Sequence, residues 1–336
     1  MDYTSQFLDM YPVTDTGFEF VVFPENFVLH DIDVQVEQYN HVKTTIESSH
    51  HVNVHASLHF PTKNNLELYL GASDGETRER VLQLFDQCLD LATRAAIKTI
   101  VVHTGGNIDA ATWETIKDDY PEKLNQLHVI AERLAEILDA CKKHGYRGKI
   151  AWENVPWPFD IPNVFSFTNI VKSDFSIVLD ELHRMKIKNL GQLGICMDLC
   201  HAWIVSKVVS FYHDQGSDLL PPSIFPEERA DFYELDDVKS LIEAFPGKIA
   251  HVHLADSKGD LVMDDGTVVG QPTEGDELGT GEFSMSPAFQ RSLEAIAAGN
   301  SSNAKILCTL EIKDKDFGNP EQAFRSLLFL GERFFK

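Results

Sequence analysis

Seven β-like runs separated by amphipathic helical stretches, connections of crossover length, and a His, Asp or Glu closing six of those runs predict one fold class: an α/β barrel of the TIM (β/α)8 type. The β-like runs are "FEFVVF" (18–23), "VNVHASLHF" (52–60), "TIVVH" (99–103), "KIAWE" (149–153), "LGICMD" (193–198), "KIAHVHL" (248–254) and "KILCTLE" (305–311). Helical periodicity fills 33–48, 75–96, 118–144, 166–184, 199–210, 234–244, 285–297 and 319–333. Strand and helix in alternation imply parallel pairing, because a parallel strand needs a long crossover to return.

A barrel of this type wants eight strands, and seven are legible. The missing one would precede Phe18: either residues 1–10 supply a degenerate first strand or the first strand is missing and the barrel incomplete. The chain reads as one domain, 1–336, with no internal repeat and no low-complexity linker. Two long loops are expected, a Pro-rich one at about 211–232 and another at about 259–282, with "DDG" at 264–266 forming a hairpin turn.

Composition narrows the function classes. The net charge is −23, and "KIK" at 186–188 is the nearest approach to a basic run. Phosphate backbones are gripped by clustered Lys and Arg. A nucleic-acid partner is therefore disfavoured, although a local basic groove assembled from distant residues stays open. The N-terminal "MDYTSQFLDMY" lacks the basic and apolar regions of a signal peptide. No apolar run approaches the ~20 residues that span a bilayer. The expectation is a cytoplasmic protein without a membrane partner. Cys88, Cys141, Cys196, Cys200 and Cys308 form no CxxC pair and read as buried small apolar residues.

The strand faces carry the chemistry. Side chains alternate across a strand. In "NVHASLHF" one face is Asn53, His55, Ser57 and His59, and the other is apolar. The same split recurs in five further strands, and the polar face ends each time at the C-terminal side: His59, His103, Glu153, Asp198, His253 and Glu311. In a barrel those ends meet at one mouth, where active sites lie. Three imidazoles and three carboxylates gathered there suit one or two divalent ions, Zn or Mn. A single His at a strand end is more often a satisfied polar residue. That reading is kept for His41, His50, His51, His144, His183 and His213, and for His55 and His251, which sit one layer deeper. Six strands ending alike support the metal site instead.

With those residues named, the chain resembles the xylose isomerase-like TIM barrel superfamily (AP endonuclease family 2), and within it endonuclease IV and the sugar isomerases and epimerases. "SLHFPT", "VVHTGG", "WENV", "MDLCHAW", "HLADSKG", "LGTGEF" and "LEI" follow in the family's order. The resemblance implies one ion on His59, His103 and Glu153, and another on Glu153, Asp198, His253 and Glu311, with Glu153 bridging. In endonuclease IV a third zinc takes the residue matching His201 and an Asp-x-His; here Thr273 and Gly275 fall at those two positions. That departure speaks against phosphodiester chemistry. The isomerase set of Glu, Asp, His and Glu is matched in full by Glu153, Asp198, His253 and Glu311. The resemblance thus implies a metal-dependent sugar or sugar-phosphate isomerase or epimerase. Glu153 and Glu311 would move the proton, His201 and Lys258 would contact substrate, and a homo-oligomer is allowed. The alternatives are an endonuclease IV-like zinc phosphodiesterase and a non-catalytic metal-binding barrel.

Overall fold

The computed structural model describes residues 3–11, 13–21, 31–60, 75–103, 107–155, 157, 164–216, 219–264, 266–270, 273–299, 306–312 and 321–334. Seven parallel strands stand side by side in chain order. They are β1 (Asp15–Val21), β2 (Asn53–His59), β3 (Thr99–Val102), β4 (Lys149–Glu153), β5 (Leu193–Asp198), β6 (Ile249–Leu254) and β7 (Leu307–Leu310). Every run read from the sequence is present. Residues 22–23 and 305 of two of those runs lie outside the described residues.

The helices are α1 (Tyr3–Met10), α2 (Ile32–His50), α3 (Gly75–Arg94), α4 (Ala110–Ile116), α5 (Tyr120–His144), α6 (Lys172–Arg184), α7 (Leu199–Gln215), α8 (Arg229–Tyr233), α9 (Val238–Ala244), α10 (Pro287–Gly299) and α11 (Glu321–Phe334). They cover the outer strand face, where Leu58, Ile100, Val102, Ile150, Trp152, Ile195, Met197 and Val252 are all buried. Four helix starts are fixed by an Asp accepting a backbone N–H: Asp31, Asp109, Asp198 and Asp237.

Residues 3–10 are not a strand. "YTSQFLDM" forms α1, which packs on α2 and α11. It has no apolar alternation to offer a sheet. Instead it buries Phe7, and its neighbour Tyr11 lies flat enough on Gly331 that a Cβ there would come within 2.4 Å of the ring. The ladder therefore begins at β1 and ends at β7, and among the described residues these two strands are joined by no sheet hydrogen bonds. The ring has one seam.

Register sets the height of each polar side chain. Val21 pairs with His59, Glu153 with Cys196, Asp198 with His253, and Thr309 with His253. The residues predicted to converge are thus brought to one level by hydrogen bonding of the backbone.

The loop expected at 211–232 is more ordered than its prolines suggested. α7 continues to Gln215, and a turn at Pro226–Glu228 leads into α8. The cause is a buried cation: Lys123 Nζ on α5 lies 3.0 Å from Asp174 Oδ1 and 2.5 Å from Glu228 Oε1, all three side chains being buried. Asp174 Oδ2 accepts from the N–H of Ile170 and Glu228 Oε2 from that of Phe225. The 259–282 loop holds the expected hairpin, Val262–Asp264 with Thr267–Gly270; residue 265 of the turn lies outside the described residues. A separate two-stranded antiparallel ribbon, Asn107–Asp109 with Val164–Ser166, was not anticipated. Four cysteines are buried as read, but Cys308 is exposed. It stands on the outer face of β7, where Ile306 and Leu310 are themselves only partly covered. No helix of the described residues is long and apolar enough to cross a membrane.

Candidate metal centre

The six predicted strand-end residues meet at the C-terminal mouth of the barrel. Glu153, fully buried at the end of β4, is the hub. Its Oε2 lies 2.9 Å from His103 Nε2 and 3.5 Å from His59 Nε2. Its Oε1 lies 3.1 Å from His253 Nδ1. Glu311 Oε2 comes to 2.7 Å from the same His253 nitrogen, and Asp198 Oδ2 to 4.0 Å. Donor atoms of Glu153, Asp198, His253 and Glu311 all fall within 4.8 Å of one another, as do those of His59, Glu153 and His253.

Asp198 answers two demands at once. Its Oδ1 accepts from the His201 N–H at 2.8 Å and so starts α7, while Oδ2 turns toward the cluster. Asn154, next to Glu153, locks the ends of β4 and β5 together: its amide oxygen accepts from Asp198 N at 2.7 Å, and its Nδ2 donates to Asp198 O at 2.9 Å. His201 joins from the first turn of α7. Its Nδ1 stands 2.8 Å from Asn154 O, and its Nε2 faces Glu274 Oε1 at 3.2 Å and Asp198 Oδ2 at 3.5 Å. Lys258 is exposed, beside Asp276 rather than in the buried cluster.

Two contributors were missed in the sequence. Glu19 on β1 places Oε1 3.1 Å from His253 Nε2 and Oε2 3.0 Å from His251 Nε2. His251, set aside as merely deeper, therefore touches a residue of the site. The signal for Glu19 was present: it is the one polar residue in "FEFVVF", flanked by apolar neighbours. Glu274 had no such signal, because it lies on a loop. It sits between Thr273 and Gly275, the two positions the resemblance singled out, and reaches His201 in their place. Asp256 holds that loop. This buried carboxylate accepts from the N–H of Ser257, Gly279, Gly281 and Ser284 at 2.8–3.0 Å and from the Ser284 hydroxyl.

The electrostatics are those of buried carboxylates and imidazoles set against one another. Burial opposes charge on Glu153, yet His253 and His103 hold its carboxyl well below the usual range. Burial also opposes charge on His59, but Glu153, Glu19 and Glu311 outweigh it and raise the imidazole to about 9. His201 is raised against its burial to about 10 by Asp198 and Glu274. Burial, with Glu311 and Glu153 against the pull of His201, brings Asp198 up to about 7. His59 Nε2, His253 Nε2 and Glu311 Oε2 are buried without a well-formed hydrogen bond. Buried polar atoms are ordinarily paired. Orphaned imidazole nitrogens and carboxylate oxygens turned on one another fit a divalent cation.

That fit has a measurable consequence. Protons held on His59 and Asp198 must leave before those atoms can ligate. Zinc added to the metal-free protein at pH 7 in weak buffer is expected to release at least one proton per ion, and affinity is expected to climb from pH 6 to pH 9. An indicator dye reads the first; chelator competition at several pH values reads the second.

No curated protein matches the chain in sequence. Solved structures do match in fold. A D-tagatose 3-epimerase-like protein aligns with TM-score 0.56 and 18% identity over 94% of this chain and 87% of its own. The 3-keto-D-glucoside 4-epimerase of E. coli aligns with TM-score 0.53 and 15% identity over 96% and 99%. D-allulose 3-epimerase from Methylomonas sp., in complex with D-allulose, aligns with TM-score 0.50 and 12% identity over 90% and 82%. At such identities the likeness is one of fold. A family model spans nearly the whole ring, residues 12–330, from ahead of β1 into α11. By that match, and with the seven-stranded parallel ring to support it, the chain belongs to the xylose isomerase-like TIM barrel family.

Proposed function

We propose that the chain is a divalent-metal-dependent isomerase or epimerase of a small sugar or sugar phosphate. The observation that carries this reading is the convergence of Glu153, Asp198, His253 and Glu311, one from each of four strand ends, with donor atoms within 4.8 Å. These four would hold the ion, with His59 and His103 able to support a second one at Glu153. When bound, the ion supplies Lewis acidity to a carbonyl oxygen and orients the neighbouring hydroxyls. The chain's own carboxylates move the proton. Glu153 and Glu311 flank His253 Nδ1 at 3.1 and 2.7 Å, so a carbon held between them is addressed from two sides. Each serves as base in one direction and acid in the other. His201, oriented by Asn154 O and Glu274, is the substrate contact beside them. Lys258, at the exposed rim, suits a phosphate or an outer hydroxyl.

Similarity of fold to two sugar epimerases and an epimerase-like protein supports the substrate class. The net charge of −23 favours a small substrate over a DNA duplex. A second reading, metal-assisted phosphoester hydrolysis, draws on His59 and His103 at the second oxygen of Glu153. One panel separates them: ketoses, aldoses and their phosphates against an abasic-site duplex, each with Zn, Mn, Co and Mg. Interconversion of a sugar with solvent deuterium appearing at the reacting carbon is expected. Incision of the duplex at catalytic enzyme levels would replace this reading with the hydrolase.

A further inference from the structure

Beneath the cluster lies a group the reaction does not use. Glu19 points into the ring from β1, with its side chain 6% exposed. Three side chains approach its two oxygens, one of them, His251 Nε2, also meeting Thr309 Oγ1 at 3.0 Å. Ser57 Oγ donates to Oε2 at 2.6 Å, His251 Nε2 stands 3.0 Å from Oε2, and His253 Nε2 stands 3.1 Å from Oε1. His253 is thus shared. Its Nδ1 addresses Glu311, Glu153 and Asp198, and its Nε2 addresses Glu19.

Donor atoms of Glu19, His251 and His253 also lie within 4.8 Å of one another, which suggests a second ion. The chemistry of His253 opposes it. A neutral imidazole has one lone pair to give and one proton to place. If Nδ1 gives its lone pair to an ion among Glu153, Asp198 and Glu311, the proton sits on Nε2. That atom then has nothing to offer a lower ion, and it faces an acceptor. A carboxylate is acceptor only, so Glu19 favours the tautomer with the proton on Nε2.

We propose that Glu19 is a positioning residue for the metal centre: its carboxylate, 3.1 Å from His253 Nε2, takes up the Nε2–H once Nδ1 ligates, fixing the tautomer and ring direction that aim the Nδ1 lone pair at Glu153, Asp198 and Glu311. Ser57 and His251 hold Glu19 in turn. Partners of this kind also raise the basicity of the ligating nitrogen, and their loss typically weakens metal binding about 10–100-fold. The inference rests on His253 being a ligand, and the experiment keeps the two claims apart.

Zinc affinity is measured by chelator competition on the wild type and on Glu19→Gln, each first shown to be folded by circular dichroism. Zinc-loaded wild type, labelled with 15N-histidine, is examined by long-range 1H–15N NMR, with the His253 signals assigned from their loss in His253→Gln. The expected result is a protonated Nε2 and a metal-shifted Nδ1 on His253, with zinc bound about 10–100-fold more weakly by Glu19→Gln. A metal-shifted, unprotonated Nε2, or an unchanged zinc affinity in Glu19→Gln, would overturn the role of Glu19 while leaving the metal centre standing. A wild type that takes up no zinc would remove the centre and the inference together. If Glu19→Gln does not fold, the spectrum of the wild type decides, because a role in folding alone does not set which nitrogen carries the proton.

Discussion

Glu153→Gln is expected to lose metal and turnover together, whereas Glu311→Gln is expected to keep the metal and lose about 10²–10⁴-fold in turnover. The difference follows from what each carboxylate touches. Glu153 is fully buried and faces His59, His103 and His253, and its negative charge balances the raised imidazoles of His59 and His253. An amide there removes that balance and turns an N–H₂ toward one of the imidazoles. Glu311 is about a third exposed, touches His253 and acts on His59 only through its charge. Its amide keeps one oxygen for the ion but cannot take a proton. Elemental analysis after dialysis, set beside steady-state rates, distinguishes the two variants. His59→Ala adds the branch point: an isomerase with one essential ion tolerates it better than Glu311→Gln, and a hydrolase needing two does not. Equal losses in all three would favour the hydrolase.

Lys123→Met is expected to cost about 3–5 kcal/mol of stability, the range for removing one partner from a buried ion pair. The Asp174 and Glu228 carboxyls, each buried within reach of Lys123 Nζ, would then confront each other with no cation between them. Even in the wild type, burial and Asp174 outweigh Lys123 and raise the Glu228 carboxyl to about 7. The sign of the pH dependence follows. A carboxyl raised in the folded state binds more protons folded than unfolded, so stability falls as pH rises from its unfolded value toward its folded one. Without Lys123 the Glu228 carboxyl rises further. The loss in Lys123→Met should therefore be greater at pH 8 than at pH 5.5, as read from urea melts at both.

Most of the ring was legible because a half-polar strand writes its two faces into alternate letters. That is why His59, His103, Glu153, Asp198, His253 and Glu311 can be gathered from the sequence alone. Glu19 obeyed the same rule but sits mid-strand, and a search of strand ends passes over it. Glu274 and Lys123 were illegible for a different reason. Their partners, His201 for one and Asp174 with Glu228 for the other, lie 51 residues or more away in the chain and on other elements. Neither periodicity nor local spacing encodes such a meeting. The segment 1–10 was one of two readings for the eighth strand, the other being an incomplete barrel, and counting strands did not choose between them. Its lack of alternation was the better guide.

The seam between β1 and β7 gives the cluster a mechanical role. Glu19 lies on one lip and Glu311 follows directly on the other, and one imidazole reaches both: His253 Nε2 to Glu19 at 3.1 Å and Nδ1 to Glu311 at 2.7 Å. Among the described residues the ring is thus fastened there by side chains instead of a ladder of backbone hydrogen bonds, and His253 is the clasp. A clasp that serves as a ligand, as proposed, would tie the breathing of the barrel to its occupancy. Amides of β1 and β7 should exchange with deuterium faster than those of β4 and β5 in the metal-free protein. Loading the site should slow the edge strands most, so that their exchange reports the arrival of an ion through the stiffness of the ring.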